Sequence, residues 1–236
     1  MNDLLSRYAA GEHVQVWNEL QQLGPAVLDN GHREAAMQVA LETMRRVQRN
    51  CALIVTRLKS LKYRFGVYPD GSRGYYSMGA LVPPDAEMLA DRAALDEAIG
   101  PLPLSLTAFW EAVGSVDLVG MHAGWPRGLD PLVVDPPAAG VSELDDMDEM
   151  IDSMGHFEAS LAPDDLHKDN VSGGSPYAVE LPNPSADFVL VNESHSMLFV
   201  SYLRMAILRY GGFPGLEGRE SEFEHLSSLL EGLEPF

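Results

Sequence analysis

The stretch Ala98-Ile-Gly-Pro-Leu-Pro-Leu-Ser-Leu-Thr-Ala-Phe-Trp-Glu-Ala-Val-Gly-Ser-Val-Asp-Leu-Val-Gly120 punctuates its own structure. Gly100 reads as a helix stop, Pro101 and Pro103 hold the chain extended around Leu102, and Ser105 reads as the cap of a short helix. Leu106, Phe109, Trp110 and Val113 recur at core-facing spacing, and Gly114 ends that helix. Val116-Asp-Leu-Val119 then reads as a short apolar strand.

Upstream, Pro83-Pro84-Asp85 starts a helix that continues through Leu89 and Leu95 to Ile99, with proline in the first turn and an acid at the positive end of the dipole. Before it, Lys62 to Tyr76 is rich in aromatics around the turn Pro69-Asp70-Gly71-Ser72, which predicts a two-stranded ribbon. The N-terminal part is helical. Val16, Leu20 and Leu23 share a face, Gly24-Pro25 interrupts, and Asn30-Gly31 turns the chain. Ala35, Val39, Met44, Val47, Cys51, Ile54, Val55 and Leu58 then trace the apolar stripe of a long helix, whose polar side carries Arg45, Arg46 and Arg49. The two helices are expected to pack as an antiparallel pair.

Downstream, Leu132-Val-Val-Asp135 is a second strand, stopped by Pro136-Pro137. Ser142 to Asp152 reads as a capped acidic helix with Leu144, Met147, Met150 and Ile151 on its inner face. Tyr177-Ala-Val-Glu-Leu and Asp187-Phe-Val-Leu-Val are strand runs separated by Pro182-Asn183-Pro184. Met197 to Tyr210 is a closing helix, capped by Ser194 or Ser196 and ended at Gly211, and one amphipathic helix follows in the tail. This order predicts an α+β fold, a mixed or antiparallel sheet covered by helices. Three regions are expected: a helical N-terminal extension over 1–61, an aromatic ribbon or linker over 62–83, and an α+β domain over 84–236.

The Leu102-Pro103 helix start with Phe109, Trp110 and Gly114 carries a family resemblance. So do the region from Trp125-Pro126 to Asp135 and the closing strand-to-helix segment ending at Phe213. Together, over roughly 84–215, they resemble the signature of the SUKH superfamily, named after a fungal cell-wall synthesis regulator and abundant among bacterial toxin-immunity proteins. Val113-Gly114-Ser115 stands where most relatives have a polar Asn-Gly, and the N-terminal helices lie outside the family's core. The resemblance implies a non-catalytic, immunity-type role, in which an acidic surface occupies the basic face of a toxin such as a nuclease. It also allows a scaffold or regulatory role, as in the fungal relatives.

Charge agrees in sign. The formal net charge is −19; residues 1–66 hold nine Lys and Arg against six Asp and Glu, net +3, so the remainder carries −22. Such a surface repels phosphates and makes nucleic acid an unfavoured partner, whereas it attracts a basic protein. The arginine stripe is expected to dock on acids of the body or of a neighbouring chain, which leaves homo-oligomerisation open; the rival reading is an RNA-binding helix. Cys51 is the only cysteine, set among Ala52, Leu53 and Ile54 as a buried thiol. Without a signal-peptide plan or an apolar run of about 18 residues, the chain reads as cytoplasmic with no membrane span.

No catalytic constellation is legible, and no metal or cofactor is expected. His156 and His167 with Asp164 and Asp165 lack the spacing that fixes ligands on one face, and read as loop residues of an acidic surface. Asn192-Glu-Ser-His-Ser196 sets a serine beside a histidine without a nucleophile elbow, and Gly173-Gly174 reads as a turn. A hydrolase assembled from distant loops remains an alternative. The residues expected to bind a partner are Asp145, Asp146, Asp148 and Glu149, as an electrostatic landing site, and Trp125, held between Gly124 and Pro126 as an aromatic anchor.

Overall fold

The computed structural model describes residues 4–68, 70–72, 74 and 79–236. Its centre is the helix α5 (Leu104–Ala112), which follows α1 (Leu4–Ala9), α2 (His13–Gln22), α3 (Arg33–Ser60) and α4 (Ala86–Ile99). Every residue of α5 from Leu104 to Trp110 is buried, so this helix is enclosed on all sides. The long helix α3 lays its stripe, from Ala36 to Leu58, along α5. That is the main packing of α3, where a hairpin with α2 was expected. α2 reaches α3 through Trp17, whose indole N–H donates to Thr43 Oγ1 at 3.0 Å. One continuous apolar core runs from Tyr8 to Phe236, so the N-terminal helices and the remainder share it.

The capping of α5 differs from expectation. Ser105 lies inside the first turn, fully buried, and its hydroxyl donates to Asp187 Oδ1 at 2.8 Å. The free N–H groups of Leu104 and Ser105 are met instead by the Ser185 and Ala186 carbonyls at 3.0 and 2.9 Å. Gly100 and Gly114 do end their helices, both at positive φ, and a Cβ on Gly114 would strike the Val82 carbonyl. Asp85, read from sequence as an acid facing the helix dipole, also caps α4, accepting the Met88 N–H at 2.9 Å.

Among the described residues the strands are antiparallel and form three small sheets rather than one. β1 (Arg64–Phe65) pairs with β4 (Gly120–Met121), and β2 (Leu81–Val82), β3 (Ser115–Asp117) and β5 (Val133–Val134) form a second sheet in that order. β6 (Phe157–Ala162) and β7 (Tyr177–Leu181) make the third. The turn at 68–72 closes with Tyr68 N–H on Ser72 O, and Gly74 N–H donates to Gly66 O; Pro69, Tyr75 and Tyr76 of the expected ribbon lie outside the described residues. β6 is the longest strand and was not read from the sequence. Conversely, the run 187–191 is held only by single bridges, Ala178 to Val191 and Val189 to Leu198.

The expected acidic helix is broken. Its first residue, Ser142, is the last of α6 (Ala138–Ser142), a tight turn spans Leu144–Asp146, and α7 (Met147–Met154) follows. Ser142 ends α6 with its hydroxyl on Ala139 O, so it caps nothing, and Ile151 is exposed rather than inward. After the short helix α8 (Asp165–Lys168), the closing helix is α9 (Phe199–Arg204), continued by a wider π turn over Met205–Arg209. Leu198 stands at its N-cap, displacing Ser194 and Ser196 from that role. The tail carries α10 (Leu226–Leu230). Among the described residues no helix is long and apolar enough to cross a membrane.

Candidate functional site

A cleft of about 990 Å3 opens between the β2–β3–β5 sheet, α6, β6 and the segment around α8. Its floor carries two aspartates, each at the end of an apolar strand. Asp117 closes β3, and its Oδ1 accepts the Val119 N–H at 2.8 Å. Asp135 follows β5; its backbone N–H donates to Leu161 O at 2.7 Å and its carbonyl accepts the Trp110 indole at 3.0 Å. The backbone is thereby satisfied, while among the described residues the Asp135 carboxylate has no hydrogen-bond donor. Burial pushes the Asp117 carboxyl up to about 6, and burial together with the neighbouring Asp117 charge pushes Asp135 up to about 7.

The walls combine apolar surface, such as Val116, Ala139, Ala162 and Val171, with acids held in place by backbone donors. Glu143 turns inward and accepts the Ser160 N–H at 2.9 Å. Asp164 caps α8, accepting from Leu166 and His167 N–H at 2.9 and 3.2 Å, and pairs with the His167 ring. Burial works against its charged form, but the hydrogen bonds from His167 and Leu166 outweigh that cost and hold its carboxyl low. Behind the cleft, the fully buried Lys168 donates to Asp130 Oδ1 at 2.6 Å and sits 4.4 Å from the Tyr177 ring centre, a closed pair already neutralised. Among the described residues, the cleft offers an apolar body and a floor whose two carboxylates form no ion pair.

Asp145, Asp146, Asp148 and Glu149 lie just beyond Glu143, all exposed and without an ion pair among the described residues. Ile151 and Met154 are exposed on the same helix. Trp125 is elsewhere. It lines a separate pocket of about 220 Å3 and is half-buried in an aromatic cluster, with Phe223 edge-on at 4.5 Å and Tyr63 at 5.1 Å. It serves as cluster packing more than as a protruding anchor, although among the described residues its indole N–H finds no acceptor.

Three of the four α3 arginines expected to dock are answered, whereas Arg45 is exposed and has no partner among the described residues. Arg49 pairs with Glu234 at 2.7 Å, Arg46 pairs with Glu42 at 3.0 Å and donates to Pro235 O at 2.9 Å, and Arg57 donates to the Leu229 and Glu231 carbonyls. The stripe therefore clamps the tail, and carbonyl oxygens do part of the work expected of carboxylates.

The histidines fall into separate places. Ser194 Oγ lies 3.0 Å from His195 Nδ1, but the same nitrogen is 2.6 Å from Glu193 Oε1 and Nε2 is 2.5 Å from Glu217 Oε2. Hydrogen bonds to Glu193 and Glu217 raise the imidazole above its usual value. Two carboxylates thus favour an imidazolium, which suits a clamp between loops and not a base that would activate Ser194. His167 belongs to Asp164, whereas His156 meets Glu158 and Glu180 on the β6–β7 sheet, so the two histidines do not converge. Sequence reasoning missed Asp117 and the cleft; the readable signal was an acid ending each of two apolar strands. Compared with protein-family models, curated proteins and solved structures, the chain finds no match.

Proposed function

We propose that this chain is a non-catalytic protein-binding module that masks a basic partner, of the immunity type that the SUKH-like signature implies, such as a cationic nuclease toxin. The observation that carries the reading is an imbalance of pairing. Arg46, Arg49 and Arg57 of α3 are engaged within the chain, while among the described residues the acids from Asp145 to Glu149 have no ion pair, beside a cleft whose floor holds two carboxylates. Exposed acids steer a basic partner over long range, and the cleft accepts a Lys or Arg side chain whose stem packs on apolar walls while its charge meets Asp117 and Asp135.

The test is to recover the partner from the native host and measure association at low and high salt. Replacing Asp145, Asp146, Asp148 and Glu149 with amides should leave folding intact, slow association and flatten its salt dependence. Asp117→Asn with Asp135→Asn should instead speed dissociation, because a buried contact is lost while the steering field persists. Recovery of no partner, or of one whose rates ignore salt and both sets of substitutions, refutes the masking mechanism and favours the scaffold reading.

A further inference from the structure

β6 and β7 bring two glutamates face to face. Phe157, Ala159 and Leu161 point inward and are buried, so the two-residue alternation puts Glu158 on the outer face with His156 two positions before it. In the ladder Glu158 is the direct partner of Glu180. Like charges directly opposite across antiparallel strands are destabilising, so this register asks for a cation between them. His156 brings a ring nitrogen to that point. Its Nε2 lies 3.1 Å from Glu158 Oε1 and 3.7 Å from Glu180 Oε1, and one ligand atom from each of the three residues lies within 4.8 Å of the other two.

Metal–nitrogen and metal–oxygen bonds of about 2.0 to 2.2 Å in a tetrahedral zinc shell place neighbouring ligand atoms about 3.3 Å apart. The two distances measured from His156 bracket that spacing. The other oxygen of Glu158 is also held: Asn192 Nδ2 donates to Oε2 at 3.4 Å while donating to Pro176 O at 3.0 Å, which orients the carboxylate as the outer partners of metal ligands do.

We propose that His156, Glu158 and Glu180 form a divalent-cation site on the outer face of this sheet, with a fourth position open to solvent. One imidazole with two carboxylates suits zinc, or manganese after it, better than magnesium or calcium, which prefer all-oxygen shells. None of the three residues lines the cleft, and the site does not depend on the masking function.

The experiment uses the full chain stripped with a chelator and titrated with zinc chloride by calorimetry at a pH where imidazole is neutral, with magnesium chloride as the control metal. Thermal unfolding is followed in parallel. One equivalent of zinc should bind and raise the melting temperature, and excess magnesium should not displace it. Glu180→Gln and His156→Ala should each weaken binding at least about tenfold and abolish the thermal shift, whereas His225→Ala should change neither. Without metal, Glu180→Gln should melt at or above the native chain, because the opposed charges are gone; loss of binding is thereby separated from loss of folding. No saturable binding by the native chain, or equal binding by the native chain and both variants, overturns the assignment.

Discussion

Asp135 shows how one residue can be well placed by its backbone and poorly served by its surroundings. Strand and indole use its N–H and carbonyl, and the carboxylate is left among apolar groups and a second aspartate. Its carboxyl rises from the ordinary 3.8 to about 7, so the folded chain holds this proton more tightly than the unfolded chain does. Stability from this group is full below the ordinary value and is lost as pH climbs through the folded one. Asp135→Asn should therefore raise the denaturant midpoint at about pH 8 and leave it unchanged at about pH 4; a gain at both would mean the charge is not the cause. Asp187 is the contrasting case. It is the more deeply buried of the two, and burial pushes its carboxyl up to about 7, yet Ser105, Phe188 and Val200 all donate to it. Ser105→Ala should cost about 1 to 3 kcal/mol by removing one of these donors, measured by chemical denaturation. Ser105 was legible as a helix-start residue from sequence; that its hydroxyl serves Asp187, 82 positions away, was not.

At the scale of elements, α5 is the piece on which others are laid. Phe109 is fully buried against Phe199, which stacks on Phe188. Phe109→Ala should cost about 3 to 5 kcal/mol, the usual range for a buried aromatic, and equilibrium unfolding checks it. α3 plays a second part, because its polar side binds the tail. Buried Asn50 donates to the Glu234 carbonyl and accepts the Glu234 N–H, both at 2.8 Å. Asn50→Ala should cost about 1 to 3 kcal/mol and speed amide exchange over 231–236, leaving exchange in α5 unchanged. Helices were readable because the 3.6-residue period of a buried stripe survives in one dimension. Strands were less so: β6, Phe157-Glu-Ala-Ser-Leu-Ala, uses residues of weak β preference and is made a strand by pairing with β7. The run 187–191 has the better composition, but its edges are met only by the single bridges to 178 and 198.

At the scale of the molecule, charge sets a global cost. Like-signed groups outside the N-terminal helices repel one another, and the measured ion pairs lie mainly on the periphery. Raising salt from about 0.01 to about 0.3 M should therefore raise the melting temperature, since screening relieves the repulsion more than it weakens exposed pairs; a fall would show that the arginine clamp dominates instead.

Sequence alone determined the α+β class, the helix start at Pro83-Pro84-Asp85, the helix stops at Gly100 and Gly114, the core-facing stripe of α5 and the long amphipathic α3. Each of these depends on neighbours within a few positions, where periodicity and backbone preference act. It also determined that the acids outnumber the bases. Tertiary structure alone decided that α3 packs on α5, that the described strands divide into three sheets, and that Asp117 and Asp135 share the floor of one cleft. It likewise brought His156 and Glu158 to Glu180 and set the arginines on the tail. These depend on pairing between residues tens to nearly two hundred positions apart, for which a linear chain carries composition but no register.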